Sequence, residues 1–287
     1  SGVTPVSDMP RRFAVTVLGP SASFAEALKA HWREYLMESA QIGALMFCIC
    51  LSATLLYGSE SPLRALAIRT SVKPFIMGTA VALSTFLIIR SRFGRRTGAH
   101  LNPSLTLTYF FLGRIHRWDA LNYVAFQFVG ALAGVWTAHG VLGDDLSMPP
   151  VCYAITVPGT YGSAIALLSE FLLSALVMGV VLFASNRKYL VSFSPVLGAL
   201  ITIFYYGFCP SLSGFSVNPA RSFSSALFAF VWRGFWIYLA APTLGMVAAA
   251  SLYTGFGSWG AFTARRCFMT WNRRAPLSVT LKNSISD

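Results

Sequence analysis

The sequence predicts an all-α membrane protein: six transmembrane helices plus two re-entrant half-helices, arranged as an inverted 3+3 repeat. Three observations carry this expectation. Hydrophobic residues make up 55% of the 287 positions and charged residues only 11%, about half the charged share of a soluble domain. Six apolar runs approach the roughly 20 residues needed to cross a hydrocarbon core ~30 Å thick. Two Asn-Pro steps, Asn102-Pro103-Ser104 and Asn218-Pro219-Ala220-Arg221, stand 116 positions apart, and each opens a segment too short to cross.

Taken in order, residues 1–33 read as a cytoplasmic tail with a short helix starting at Ser23. A first span over about 36–57 carries Glu38 near its start, and a second covers about 72–90. The first Asn-Pro segment follows, then a third span at about 118–142. A fourth span at about 163–185 carries Glu170, a fifth covers 191–208, and the second Asn-Pro segment precedes a sixth span at about 234–256. Residues 259–287 form a second cytoplasmic tail. The membrane domain, 34–258, thus divides into halves at about 34–142 and 163–258, each running Glu-bearing helix, second helix, Asn-Pro segment, third helix. Three crossings per half leave the second half entering from the opposite side, an arrangement that places paths at the midplane between broken helices.

Charge gives the orientation. With the N-terminus inside, the inner face collects Arg11, Arg12, Lys29, Arg33, Arg90, Arg92, Arg95, Arg96, Arg114, Arg117, Arg187, Lys188, Arg265, Arg266, Arg273, Arg274 and Lys282, which is 17 of the 22 Lys and Arg. Arg64, Arg69, Lys73 and Arg233 fall outside. This asymmetry follows the positive-inside rule, so the net charge of +12 reports topology and contact with anionic lipid rather than nucleic acid. The run after Arg11-Arg12 is too short, and broken at Pro20, to be an export signal.

Other chemistry finds little footing. The five cysteines, Cys48, Cys50, Cys152, Cys209 and Cys267, show no zinc or redox spacing and read as buried thiols. His31, His116 and His139 are scattered and support no metal site. No nucleophile elbow, His-Glu-x-x-His or phosphate-cradling Gly loop occurs, so an intramembrane enzyme lacks a candidate centre and no cofactor is called for.

The Asn-Pro segments are physically legible. Proline suits the first helical position, where its missing N–H would be unpaired anyway, and Asn is a good N-cap. Helices over Pro103–Gly113 and Pro219–Phe230 would run about 16 and 18 Å, close to half the core. Irregular backbone ahead of each is tolerated only where it lines a cavity or is buried in protein.

The stretches Gly98-Ala99-His100-Leu101-Asn102-Pro103-Ser104-Leu105-Thr106 and Gly214-Phe215-Ser216-Val217-Asn218-Pro219-Ala220-Arg221-Ser222-Phe223 resemble the two signature loops of the aquaporin, or major intrinsic protein, family. Gln127 with Gly130-Ala131, Glu38, Glu170 and Pro242 also resemble that family's pattern, over roughly residues 34–258. Ser104 departs from it, standing where Ala is usual. The resemblance implies a pore in each protomer and a homotetramer; the charge asymmetry puts both termini in the cytoplasm, and the expected location is the plasma (inner) membrane. It makes Asn102 and Asn218 donors to passing water and Arg221 the cation of a selectivity filter. An Arg at mid-membrane depth costs about 2.5–3.5 kcal/mol on insertion scales, so it must face an interior or a wet cavity. Glu38 and Glu170 are expected to accept from loop N–H groups. His100 falls at the cytoplasmic vestibule, with loop packing as its alternative.

Specificity gives a mixed pattern. Tyr206 stands where water-selective relatives usually carry His, Phe215 where glycerol-conducting ones are often aromatic, and the second-span filter position falls at Ala82, or Val81 with one extra loop residue. Ser222, Ala226 and Tyr238 resemble the water-selective pattern, and Leu239 does not. The expected activity is passive water conduction. Glycerol or another small uncharged solute is the alternative, and a non-conducting structural membrane protein a further one. A coupled carrier would need a titratable group in its path, for which only Glu38 and Glu170 offer themselves.

Overall fold

The computed structural model describes Leu18, residues 22–187 and residues 189–255. The tail residues Arg11, Arg12, Arg265, Arg266, Arg273, Arg274, Lys282 and Cys267, together with Lys188, lie outside the described residues. All regular structure among the described residues is helical.

Helix α1 runs Phe24–Tyr57. Its start is a capping box: the Ser23 hydroxyl accepts from Glu26 N, and the Glu26 carboxylate accepts from Ser23 N at 2.7 Å, which satisfies two orphan donors at once. No proline interrupts the next 34 residues. The short helix and the first span of the sequence reading are therefore one element, and the boundary at 33/34 falls inside it. Helix α2 covers Lys73–Arg90, and an additional short helix, α3, covers Arg92–Thr97. The first half-helix, α4, spans Pro103–Phe111, two residues less than Pro103–Gly113, because the chain leaves the helix at Leu112 and turns at Gly113 with φ +65°.

The third span is α5, Arg117–Leu142, and α6 is a single turn at Asp144–Ser147. In the second half, α7 covers Gly162–Ser185, α8 Ser194–Phe208, α9 Pro210–Ser213, α10 Pro219–Ala229 and α11 Phe235–Gly255. Phe230, in left-handed backbone at φ 53°, ends α10. Helices α1, α2, α5, α7 and α11 are each long and apolar enough to cross a membrane. The fifth in order, α8, is helical for only 15 residues, about 22 Å at 1.5 Å per residue. Turns occupy residues 189–193, and Pro195 falls in the first turn of α8, a place that suits it.

The two halves pack alike. Helix α1 lies on α5 and α7 on α11, while α2 and α8 face each other between the halves. Missing side chains set these approaches, as lipid-embedded helices require where apolar burial supplies no drive. A Cβ on Gly130 would stand 2.1 Å from the Ser39 carbonyl oxygen, and one on Gly134 2.2 Å from that of Gly43. On the other side, a Cβ on Gly245 would meet the Phe171 carbonyl oxygen at 2.3 Å. Polarity is inverted relative to a soluble fold: Glu38, Glu170, Gln127 and Arg221 are buried while Leu83, Leu172, Trp136 and Phe204 are exposed.

Overpacking a tight crossing costs about 1–3 kcal/mol. Gly130→Ala is therefore expected to lower the thermal unfolding midpoint in detergent, whereas Gly140→Ala, whose Cβ meets nothing within 4 Å, leaves it unchanged or slightly raised. Equal midpoints for the two variants would show that the α1–α5 crossing does not depend on the absent side chain.

Candidate functional site

Two short loops feed the half-helices, and their backbones match residue for residue. Gly98, Ala99 and Leu101 have φ of 90°, 46° and 54°; Gly214, Phe215 and Val217 have φ of 75°, 58° and 56°. Glycine adopts this region freely, but each non-glycine residue there costs of order 1–3 kcal/mol, and a β-branched residue such as Val217 is a true outlier. Such backbone persists only where its surroundings fix it.

Two fully buried carboxylates do so. From α1, Glu38 Oε1 accepts from Leu101 N and, at 3.0 Å, from Gln127 Nε2 on α5. From α7, Glu170 Oε1 accepts from Ser213 Oγ at 2.6 Å and Ser216 N at 2.9 Å, and Oε2 from Val217 N at 2.7 Å. Carboxylates that take several N–H and O–H donors recover part of the cost of leaving water.

A second brace repeats in both halves. The Tyr123 hydroxyl donates to the Thr97 carbonyl at 3.1 Å, and the Tyr238 hydroxyl to that of Ser213 at 2.8 Å. Thr97 Oγ1 accepts from Ala99 N, as Ser213 Oγ accepts from Phe215 N. Thr97, Ser213 and Tyr123 were not singled out from the sequence, and Tyr238 was noted only as an aromatic. The signal that could have found the first two is a hydroxyl residue one position before each loop glycine. His100 pairs through Nδ1 with Thr106 Oγ1 at 2.9 Å and is packed between the rings of Tyr109 and Tyr123, leaving 6% of its surface open. Its counterpart Ser216 contacts Ser222 Oγ at 2.5 Å, which in turn contacts Thr156 Oγ1 at 2.6 Å in the connector between the halves.

The half-helices meet head to head. Asn102 Oδ1 accepts from Ser104 N at 2.9 Å and Asn218 Oδ1 from Ala220 N at 3.1 Å, so each Asn caps its own helix at Pro103 or Pro219. Each amide then reaches across: Asn102 Nδ2 donates to the Val217 carbonyl and Asn218 Nδ2 to the Leu101 carbonyl, both at 2.6 Å. The strained residues thus supply the acceptors that lock the two caps together. Ser104 is wholly buried, and its hydroxyl lies 2.8 Å from Thr243 Oγ1 on α11, which itself donates to the Leu239 carbonyl at 3.2 Å. Ala220, the corresponding residue of α10, has no such group.

Beside this junction, Arg221 is 5% exposed, and its Nη1 has no hydrogen-bond partner among the described residues. Tyr206 and Phe215 are brought together, ring centroids 4.5 Å apart, and Tyr205 lies 5.2 Å from Phe215. Val81 and Met77 share an apolar cluster with Tyr206, against which Phe215 packs. Ala82 is buried but belongs to none of the apolar clusters.

Comparison with known proteins places this geometry. The family model described as Major intrinsic protein matches residues 26–253. Aquaporin NIP3-1 of Oryza sativa subsp. japonica is 34% identical over 187 residues, 64% of this chain and 58% of that protein. Aquaporin NIP3-1 of Zea mays is 33% identical over 64% of this chain and 59% of its own length. A probable aquaporin NIP-type of Nicotiana alata is 32% identical over 56% and 58%. The chain therefore spans under three fifths of the length of these relatives. Among solved structures, the aquaglyceroporin from Plasmodium falciparum superposes with a TM-score of 0.63 at 20% identity, covering 78% of this chain and 95% of that one, a likeness of fold.

Leaving a buried donor unpaired costs about 1–3 kcal/mol. Glu170→Ala strips an acceptor from three donors and Glu38→Ala from two, so both variants should lose stability in detergent, Glu170→Ala more. Ser104→Ala removes one hydroxyl pair and is expected to cost about 1 kcal/mol. An order reversed among these thermal midpoints would show that the carboxylates are not what holds the loops.

Proposed function

The chain belongs to the major intrinsic protein family, and on that footing we propose that it is a passive channel that conducts water down osmotic gradients while excluding protons and ions. Members of the family are channels, not enzymes. The observation that carries the reading is the crossed pair of Asn102 and Asn218 amides at the meeting of two half-helix N-termini. A primary amide has two N–H donors; one reaches the opposing carbonyl, and the other is left for a passing oxygen. The facing positive ends of the two half-helices raise the energy of any cation there, a hydrated proton included.

In this reading Arg221, with Nη1 free of protein acceptors, donates to the solute and repels cations. Tyr206 and Phe215 form the apolar wall opposite, Ala82 leaves room in the second span, and Pro103, Ser104, Pro219 and Ala220 shape the first turns of the half-helices. Glu38 and Glu170 hold the loops without lining the path, and His100 borders the inner entrance as a packed side chain. The relatives' names carry the word aquaporin, in keeping with water. The protein would sit in the plasma (inner) membrane as a homotetramer with both termini cytoplasmic, as the distribution of basic residues supports.

A second reading, conduction of glycerol or another small uncharged solute, is favoured by one feature. The Tyr206–Phe215 pair offers a carbon backbone an apolar face.

Stopped-flow light scattering on liposomes separates these. Rapid shrinkage in sucrose without fast re-swelling in glycerol is the expected result; fast re-swelling establishes the second reading, and protein-free rates in both overturn conduction. Arg221→Ala is expected to admit protons or small cations, read as dissipation of an imposed pH gradient. Phe215→Ala should raise glycerol flux relative to water by removing one side of the constriction; a fall would show that the ring binds the solute instead.

A further inference from the structure

Away from the half-helices, the segment joining α1 to α2 encloses a recess of about 310 Å³, within the ~300–1,000 Å³ typical of small-molecule sites. We propose that this recess binds the phosphate of an anionic lipid headgroup. Tyr57, Ser59, Ser61, Leu63, Arg64 and Lys73 are among its walls, and no carboxylate lines it.

The chemistry is that of an oxyanion site. Arg64 uses one N–H on the Ser59 carbonyl, at 2.8 Å from Nη1, and has four further donors. Lys73 Nζ lies 5.5 Å from the centroid of the Tyr57 ring, which fixes the ammonium in place without neutralising it. Lys73 is also the first residue of α2, whose N-cap, Val72, supplies no side-chain hydrogen bond. The Lys73 backbone N–H is taken by the Arg69 carbonyl at 3.3 Å and Pro74 has no N–H, so the site rests on the two side-chain cations. The neighbouring carboxylates are Glu60 and Asp145; Asp145 accepts from Ser59 Oγ at 3.2 Å and Glu60 N at 3.4 Å, and neither acid lines the recess.

The surroundings select a lipid over a free anion. The recess sits where two membrane-spanning helices end, on the outer side by the distribution of basic residues and at the depth of headgroups, and Leu56, Leu63 and Ile68 line it beside the cations. A soluble phosphate gains nothing from such neighbours, whereas a headgroup leads directly into acyl chains. The inference rests on the chain spanning a bilayer and not on conduction, so it is read without any flux.

Native mass spectrometry of the full chain in detergent, titrated with dioleoyl phosphatidic acid, tests it. The double variant Arg64→Gln/Lys73→Gln is expected to bind one phosphatidic acid fewer per chain, or to bind it about thirtyfold more weakly, given the contribution of each basic residue near an anionic surface. Lys73→Arg, which keeps the charge, should retain the full number and serves as the folded control. Dioleoyl phosphatidylcholine, with no net charge, should not compete. An unchanged count in the double variant overturns the site. Inorganic phosphate displacing the lipid at equal concentration overturns the lipid assignment in favour of a soluble anion.

Discussion

The structure depends on buried carboxylates gripping backbone that would not otherwise hold its shape. Leu101 and Val217 are left-handed, and each immediately precedes the Asn that caps a half-helix. Glu38 takes the N–H of one and Glu170 that of the other, while their carbonyls accept the Asn amides from across the junction. One residue on each side is thus fixed at both its N–H and its C=O. In a hydrocarbon core with no water to satisfy stray polar groups, this closed circuit is the condition for having an irregular loop at the midplane at all.

The circuit repeats because the chain does. Thr97 and Ser213, Tyr123 and Tyr238, and the two glutamates occupy equivalent places about the junction. Inversion of the halves turns the N-termini of two half-helices toward each other, so that the positive ends of their dipoles face. Where the halves differ, chemistry specific to one side enters. Ser104 ties the first half-helix to α11 through Thr243. Only the second half carries the buried Arg221, with Nη1 unpartnered among the described residues, and the paired rings of Tyr206 and Phe215.

Legibility followed the range of the physics. The capping box Ser23-x-x-Glu26, the Asn-Pro helix starts and the long apolar runs depend on neighbours within a turn, and each could be read from the order of residues. The start of α8 could not, because apolar composition continues through the turns before it. Nor could the unity of α1 across residue 33, since hydropathy marks where a helix meets lipid and not where it begins.

By itself the sequence determined the all-helical membrane class, the two half-helices and the repeat that relates them, because periodicity, length and capping are local or near-local properties. It also put the chain's resemblance on the two Asn-Pro loops, where glycine, proline and asparagine each answer a backbone need. Only the tertiary structure decided which donors each carboxylate takes, that two unremarked hydroxyl residues and Tyr123 share the bracing, and that Ser104 finds Thr243. Those partners lie 25 to 139 positions apart, a separation over which no local preference acts and only packing brings side chains into contact.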